Sequence, residues 1–142
     1  MNKVVLTHEP LDDSLAGVLK RFDAGALATF AGTVRAEDDC SRQLIALDYE
    51  AYEEMAVSMM SGIRARAIEN FGVLDVFIAH RLGRVKLGET SIVVGVVSAH
   101  RVAAFDACRW VVDQVKVDVP IWKKDIWSDG SAEWVNPACS SE

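Results

Sequence analysis

The segment TSIVVGVVSA at residues 90–99 constrains the fold of this chain more than any other segment. It is the most apolar part of the sequence, and it is rich in valine, isoleucine and threonine, whose β-branched side chains favour extended backbone. An apolar run without polar alternation is typical of a strand that is covered on both faces. We therefore predict that residues 90–99 form the central strand of a sheet.

A helix is predicted to follow this strand at once. Its pattern extends to about Val117, and Pro120 prevents it from continuing further. The apolar residues at helical spacing are Phe105, Cys108, Val112 and Val115. His100 and Arg101 thus lie at a strand-to-helix junction, where free backbone N–H groups and the helix dipole favour an anion.

The other segments alternate between strand and helix patterns. Strands are predicted at residues 3–7, 26–35, 44–52 and 73–82, and a hairpin around Asp129-Gly130 at residues 121–135. Helices are predicted at residues 10–21 and 53–70, the second with a row formed by Met55, Met59, Ile63 and Ala67. Gly32 predicts a bulge or a close backbone approach. In the strand predicted at residues 44–52, the side chains expected to face the core are Ile45, Leu47, Tyr49 and Ala51.

Length and composition limit the classes of protein to consider. The 142 residues fit one domain, which we place at residues 1–136, and we expect residues 137–142 to be a disordered tail. No apolar run approaches the roughly 20 residues of a membrane helix, and the N-terminus lacks signal-peptide features, so we expect a cytoplasmic protein. The net charge of −6 argues against nucleic-acid binding. The spacing of histidines and cysteines predicts neither a metal site nor a disulfide.

The segment KVDVPIWKKD at residues 116–125 carries three lysines next to proline and aromatic side chains. One interpretation is a chemical centre, in which Lys116 and Lys123 or Lys124 exchange protons or form a covalent adduct. The other is a helix end followed by an edge strand that lysines protect from aggregation. If the strand is regular, Lys123 and Lys124 point to opposite faces and cannot both enter one pocket.

Five further basic residues lie at or near the ends of predicted elements, namely Arg35, His80, Arg81, His100 and Arg101. Arg35 and Arg101 could clamp a phosphate or carboxylate, or they could form ordinary surface ion pairs. His80 and His100 could belong to a site or could be structural histidines with satisfied hydrogen bonds. The residues alone therefore predict a local basic pocket for a small anion without naming the substrate.

Five separated motifs, in the same order, resemble the family of large, catalytic subunits of molybdopterin synthase over about residues 25–135. The first three motifs are FAGTVR at residues 30–35, LDYEAY at 47–52 with Met55-Ala56, and HRLG at 80–83. The other two are SAHR at 98–101 with Ala104-Phe105, and Lys116 with PIWKK at 120–124. The resemblance implies an α+β fold, namely an α/β hammerhead with an additional antiparallel β-sheet in a single domain. It also implies a homodimer within a heterotetramer.

The resemblance further implies a reaction and its participants. The partner would be a small ubiquitin-like subunit whose C-terminal Gly-Gly thiocarboxylate supplies sulfur. The substrate would be cyclic pyranopterin monophosphate, which two sulfur transfers convert to the dithiolene of molybdopterin. No cofactor is implied for this subunit.

The resemblance also assigns expected roles to five residues. Lys116 would lie next to the C-terminus of the partner, and Lys123 would be the second essential lysine. Arg35, His100 and Arg101 would bind the substrate, which the two lysines would also contact. The family often has glutamate where this chain has Asp125, so the role of Asp125 is open. The alternatives to an enzyme are a binding module for a ubiquitin-like tail and a sensor of small anions.

Overall fold

The computed structural model describes residues 2–135. Its strands are β1 (Val4–Thr7), β2 (Ala26–Thr33), β3 (Asp38–Asp39), β4 (Arg42–Ala51), β5 (Asp75–Arg81), β6 (Gly83–Lys86), β7 (Thr90–Ser98), β8 (Ile121–Trp127) and β9 (Ala132–Trp134). Its helices are a 3-10 helix (Asp13–Leu19), α1 (Glu53–Phe71) and α2 (Arg101–Asp118). The tail predicted at residues 137–142 lies outside the described residues.

The first sheet has the strand order β1-β5-β7-β2, so β7 is an internal strand as predicted. All nine residues of β7 are buried. Val94 and Val96 pack into the cluster that includes α1 and α2, whereas Val93 and Val97 pack against the 3-10 helix on the other face. Covering both faces explains why this segment is apolar throughout.

The 3-10 helix packs against β7 at a glycine. A Cβ added to Gly95 would lie 2.4 Å from the Cβ of Ala16, so only glycine lets the two segments approach this closely. The helix predicted at residues 10–21 is shorter than expected, since it spans only Asp13–Leu19, and it is of the 3-10 type. Asp12 caps it by accepting a hydrogen bond of 2.8 Å from the backbone N–H of Ser14.

The α-helices agree with the predicted bounds to within a residue or two, and their predicted apolar faces are buried except at a few positions. In α1 the buried side chains include Met60 and Ile63, and Met55 from the predicted row is exposed. In α2 Phe105 is 67% exposed, although the sequence pattern assigned it to the core. The other predicted positions, Cys108, Val112 and Val115, are buried, and Ala104 and Ala107 of α2 are buried in the same cluster.

The second sheet has the order β3-β4-β8-β9, with β6 also paired to β4. The pairing of β4 with β8 shifts by one residue between Leu44 and Ala46, which makes Ile45 a bulge. The predicted core face is therefore wrong at its start, since Ile45 is 44% exposed while Leu44 and Ala46 are buried. Leu47 and Tyr49 are buried as predicted.

The predicted hairpin at the end of the chain is confirmed as β8 and β9. Arg42 of β4 ties the hairpin to the sheet, because its guanidinium lies 4.2 Å from the ring centroid of Trp127 and donates to Ser131 and Glu133 at 3.0 and 2.8 Å. The predicted irregularity at Gly32 is also confirmed, as a register shift between Gly32 and Thr33. No helix within residues 2–135 combines the length and the apolar character needed to cross a bilayer.

Candidate functional site

A cavity of about 260 Å³ lies where the end of the first sheet meets the second sheet and the last turn of α2. Its lining is mostly apolar, with a few polar and basic groups. The lining residues are Tyr49, His80, Ile92, Val115, Lys116, Val117, Ile121, Trp122, Lys123 and Val135. An apolar cavity with a small number of polar groups is the usual form of a small-ligand site.

Two of the three predicted lysines line this cavity. Lys116 reaches it from the last turn of α2, and Lys123 reaches it from β8, where it pairs with Tyr49 of β4. Lys124 lies elsewhere, with its Nζ 4.5 Å from the ring centroid of Trp134. The predicted alternation of Lys123 and Lys124 is thus confirmed, and it follows from the regular pairing of β8.

His80 and Tyr49 form a buried aromatic pair in the same cavity. They are 7% and 5% exposed, and their ring centroids lie 4.9 Å apart at an interplanar angle of 70°. The Nδ1 of His80 lies 2.8 Å from the backbone carbonyl oxygen of Arg81. From the sequence, Tyr49 is predicted only as a core residue, because nothing in the local pattern indicates that β4 and β5 approach each other at this point.

Arg35 lies close to Lys123. Both line a small cleft of about 30 Å³ together with Glu37 and Asp125. Arg35 forms an ion pair of 3.3 Å with Glu37 and remains 63% exposed at its side chain. Burial raises the pKa of Asp125, and the negative charges of Glu37 and Glu133 add to this shift, although Lys123 and Arg42 oppose it.

His100 and Arg101 do not reach the cavity of their own chain. His100 is the N-cap of α2, Arg101 is its first residue, and both are exposed. At about 1.5 Å of rise per residue, Arg101 and Lys116 are separated by about 22 Å along the axis of α2. One chain therefore brings together Arg35, Lys116 and Lys123, but not the two residues at the start of α2.

The described part of the chain contains two free cysteines, of which Cys40 is exposed and Cys108 is buried. Among residues 2–135, no three His, Cys, Asp or Glu side chains lie where they could hold one metal ion. Burial raises the pKa of Cys108 to about 11, and its Sγ lies 3.8 Å from the carbonyl oxygen of Val94. Cys108 is thus a buried thiol rather than a nucleophile.

Comparisons with known proteins agree on one family. The family model described as "MoaE protein" matches residues 6–118. A molybdopterin synthase catalytic subunit from Thermoplasma volcanium is 46% identical over 125 residues, which cover 88% of this chain and 89% of that protein. A counterpart from Pyrococcus abyssi is 38% identical over 132 residues, covering 91% and 88% of the two chains.

Solved structures show the same likeness. The crystal structure of molybdopterin synthase from Staphylococcus aureus superposes with a TM-score of 0.89 at 28% identity, covering 96% of this chain and 98% of that chain. This match confirms the expected fold class, an α+β fold of the α/β hammerhead kind with an additional antiparallel sheet. The chain belongs to the MoaE protein family.

Proposed function

We propose that this chain is the catalytic subunit of a molybdopterin synthase, a sulfurtransferase of molybdenum cofactor biosynthesis that acts in the cytoplasm. The observation that carries this proposal is the presence of Lys116 and Lys123 on one cavity in a member of the MoaE family. Relatives that cover nearly the whole chain carry the name molybdopterin synthase catalytic subunit.

The sulfur donor in this proposal is a small ubiquitin-like subunit with a C-terminal Gly-Gly thiocarboxylate. A slender tail of two glycines suits the cavity, because its lining combines apolar side chains such as Ile121 and Trp122 with two basic groups. Lys116 and Lys123 would attract the negatively charged thiocarboxylate. Lys116 would lie next to the tail, in line with its position at the end of α2.

The acceptor is cyclic pyranopterin monophosphate. When the thiocarboxylate sulfur attacks a side-chain carbon of the pterin, a C–S bond forms and a C–O bond breaks, and the departing oxygen must receive a proton. In this proposal Lys123 supplies that proton, and its position on both the cavity and the cleft that Arg35 shares supports this role. Arg35 would hold the phosphate of the substrate.

His100 and Arg101 join this site only if a second copy of the chain supplies them. The distance of about 22 Å along α2 separates them from the cavity of their own chain. Val102 and Phe105 are exposed beside them, which is consistent with a surface that another copy covers. We therefore propose a homodimer in which the start of α2 from one chain completes the cavity of the other, within a heterotetramer that includes two small subunits.

Reconstitution tests the proposal. The purified chain, the thiocarboxylated small subunit and cyclic pyranopterin monophosphate are mixed, and molybdopterin is measured. We expect product to form and to require all three components. A folded chain that binds the small subunit but yields no product would instead support a module that only docks a ubiquitin-like tail. Binding of the pterin or of phosphate without any requirement for the lysines would support an anion sensor.

A further inference from the structure

Strand β2 lies at one edge of the first sheet, and among residues 2–135 it pairs only with β7. It is eight residues long, and its sequence ALATFAGT contains neither a charged residue nor a proline. Charged residues, prolines and short length are the usual features that prevent a free edge from pairing with another chain. The outer side of β2 lacks all three, so its backbone N–H and C=O groups are suited to a further strand.

The other strands that pair on one side only differ from β2. In the described part of the chain, β1 and β6 have four residues each, β3 has two and β9 has three. Lys3 directly precedes β1, and β6 contains Arg84 and Lys86. Short length and charge thus protect these edges, whereas β2 can accept a partner along a strand of ordinary length.

Helix α2 places an apolar side chain beside this edge. The helix packs over β2 and β7, whereas α1 packs over β5 and β1. Trp110 of α2 faces α1, since its ring centroid lies 5.7 Å from that of Phe71. At about 100° per residue, Phe105 lies about 140° around the helix from Trp110. Phe105 therefore projects on the side of the free edge, where it is 67% exposed.

A second copy of this chain fits such an edge. Two identical strands that pair in antiparallel orientation need only a two-fold axis near the middle of the strand, and the contact is then self-complementary. The middle of β2 lies at Thr29, which is exposed, and Phe30, which packs against the core. With the axis perpendicular to the sheet, α2 and its copy lie on the same face and run antiparallel. Phe105 of each copy then faces the helix of the other.

The direction of β2 decides where the start of α2 comes to lie. Ala26, the first residue of β2, pairs with Ser98, and His100 follows Ser98 two residues later. Thr33, the last residue of β2, is followed two residues later by Arg35. Antiparallel pairing about the middle of β2 brings Ala26 of the second copy level with Thr33. The start of α2 in the second copy therefore lies beside the end of β2 that leads to Arg35.

Two lengths agree with this arrangement. The strand spans about 24 Å from Ala26 to Thr33 at about 3.4 Å per residue. Arg101 and Lys116 are about 22 Å apart along α2. A two-fold axis that exchanges the ends of β2 thus also exchanges the ends of α2, and Arg101 of one copy approaches Lys116 of the other.

We propose that two copies of this chain pair edge to edge through β2, in antiparallel orientation about a two-fold axis near Thr29 and Phe30. The two four-stranded sheets then form one continuous sheet, with α2 and its copy side by side on one face. This inference rests on the proposed function, because it names the surface that brings the start of α2 to the cavity of the other copy.

Thr29→Lys tests the pairing at its centre. Thr29 is exposed, so the single chain can accommodate a lysine there, but in the dimer two lysines would meet at the axis. We expect the dissociation constant of the dimer to rise by about 100-fold. Light scattering after size-exclusion chromatography should show the wild type at twice the chain mass of 15.6 kDa and Thr29→Lys at 15.6 kDa. Val57→Lys, on another exposed apolar surface at the start of α1, is the matched control and should remain dimeric.

Hydrogen exchange of the wild type gives a second test, which needs no variant. Amides on the outer side of β2 should be protected in the dimer and should lose this protection when dilution dissociates it, whereas amides of the internal strand β5 should keep theirs. Three results would each overturn the inference: unchanged exchange at residues 26–33, a Thr29→Lys chain that stays dimeric, or a dimer that Val57→Lys dissociates.

Product formation separates this inference from the proposed function. A dimer paired through β2 that yields no molybdopterin in the reconstituted reaction would contradict the proposed function alone. A wild type that is monomeric at micromolar concentration and still yields molybdopterin would contradict the pairing alone.

Discussion

The two ends of α2 carry basic residues in opposite settings. At its start, His100 and Arg101 are exposed and have exposed apolar neighbours, whereas at its end Lys116 lines a cavity shared with Lys123. The helix axis keeps these groups about 22 Å apart. The difference shows that a set of residues brought together by sequence resemblance need not meet within one chain. It is the reason for proposing that a second copy supplies the start of α2.

A mixed dimer gives the largest effect expected from this comparison. Lys123→Ala and Arg101→Ala chains carry different affinity tags, are co-expressed, and are purified as the mixed dimer. If each site uses Lys123 of one chain and Arg101 of the other, one of two sites is intact and about half of the wild-type rate should return. Each variant alone, assayed at low pterin concentration, serves as the control. A mixed dimer without recovery would show that the two residues do not serve one site across the dimer.

Arg101→Ala alone should weaken pterin binding by about 10-fold to 100-fold, because a charged hydrogen bond contributes about 1.5–3 kcal/mol. The measurement is the dissociation constant of cyclic pyranopterin monophosphate by calorimetry, without the small subunit. Arg109→Ala, on the exposed surface of the same helix, is the matched control. Equal affinity of the two variants would remove the start of α2 from the substrate site.

Asp75→Asn tests whether a loss of stability alone, without a change at either end of α2, affects product formation. Asp75 is buried in the first sheet between Lys3 and Arg64. Burial by itself raises the pKa of Asp75, but hydrogen bonds from Lys3, Arg64 and the backbone of Val76 outweigh burial and leave its pKa below the ordinary value. The substitution should lower the free energy of unfolding by about 2 kcal/mol at neutral pH, without affecting product formation by the folded protein.

The pH dependence of this effect has a definite sign. Because the carboxylate of Asp75 has a lower pKa in the folded state than in the unfolded state, its stabilisation is complete above about pH 4 and disappears as the pH falls further. The difference in unfolding free energy between the wild type and Asp75→Asn should shrink accordingly in urea titrations. Asp106→Asn, at an exposed position of α2, should show no such trend. A difference that stays constant down to pH 2 would contradict the assignment.

The smallest effect is expected from the ion pair of Arg84 and Asp48, which joins β6 to the strand that carries Tyr49. Its nitrogen-to-oxygen distances are 2.6 and 3.1 Å, but the Arg84 side chain is half exposed. Arg84→Ala should therefore lower the free energy of unfolding by less than about 1 kcal/mol. Urea titration measures this, and a larger loss would mean that the cavity wall depends on surface ion pairs.

Sequence patterns predicted the parts of this structure that depend on local periodicity. The apolar segment at residues 90–99 is an internal strand, Asp129-Gly130 does form the turn of a hairpin, and Lys123 and Lys124 do face opposite ways. These outcomes follow from strand alternation and turn chemistry, which act over a few residues. The choice of Lys116 and Lys123 as candidate site residues came from the family resemblance, and strand alternation supported it by separating Lys123 from Lys124.

Other features depend on contacts between distant segments, and the local pattern does not contain them. The bulge at Ile45 makes the predicted core face of β4 wrong at its start, because the pairing with β8 shifts by one residue there. The contact of Tyr49 with His80 requires β4 and β5 to approach across two sheets. The separation of Arg101 from Lys116 could have been derived from the rise of a helix, but the resemblance to a family gave a single set of residues without their distances.

We claim that the cavity lined by Lys116 and Lys123 performs the sulfur transfer, and this can be tested with one pair of variants. Lys123→Ala and Lys124→Ala remove neighbouring lysines from opposite faces of β8. Molybdopterin formation is measured with the thiocarboxylated small subunit after binding of that subunit has been confirmed for both. We predict that Lys123→Ala reduces product formation by about 100-fold or more while Lys124→Ala stays near the wild-type rate. Equal rates for the two variants would contradict the claim.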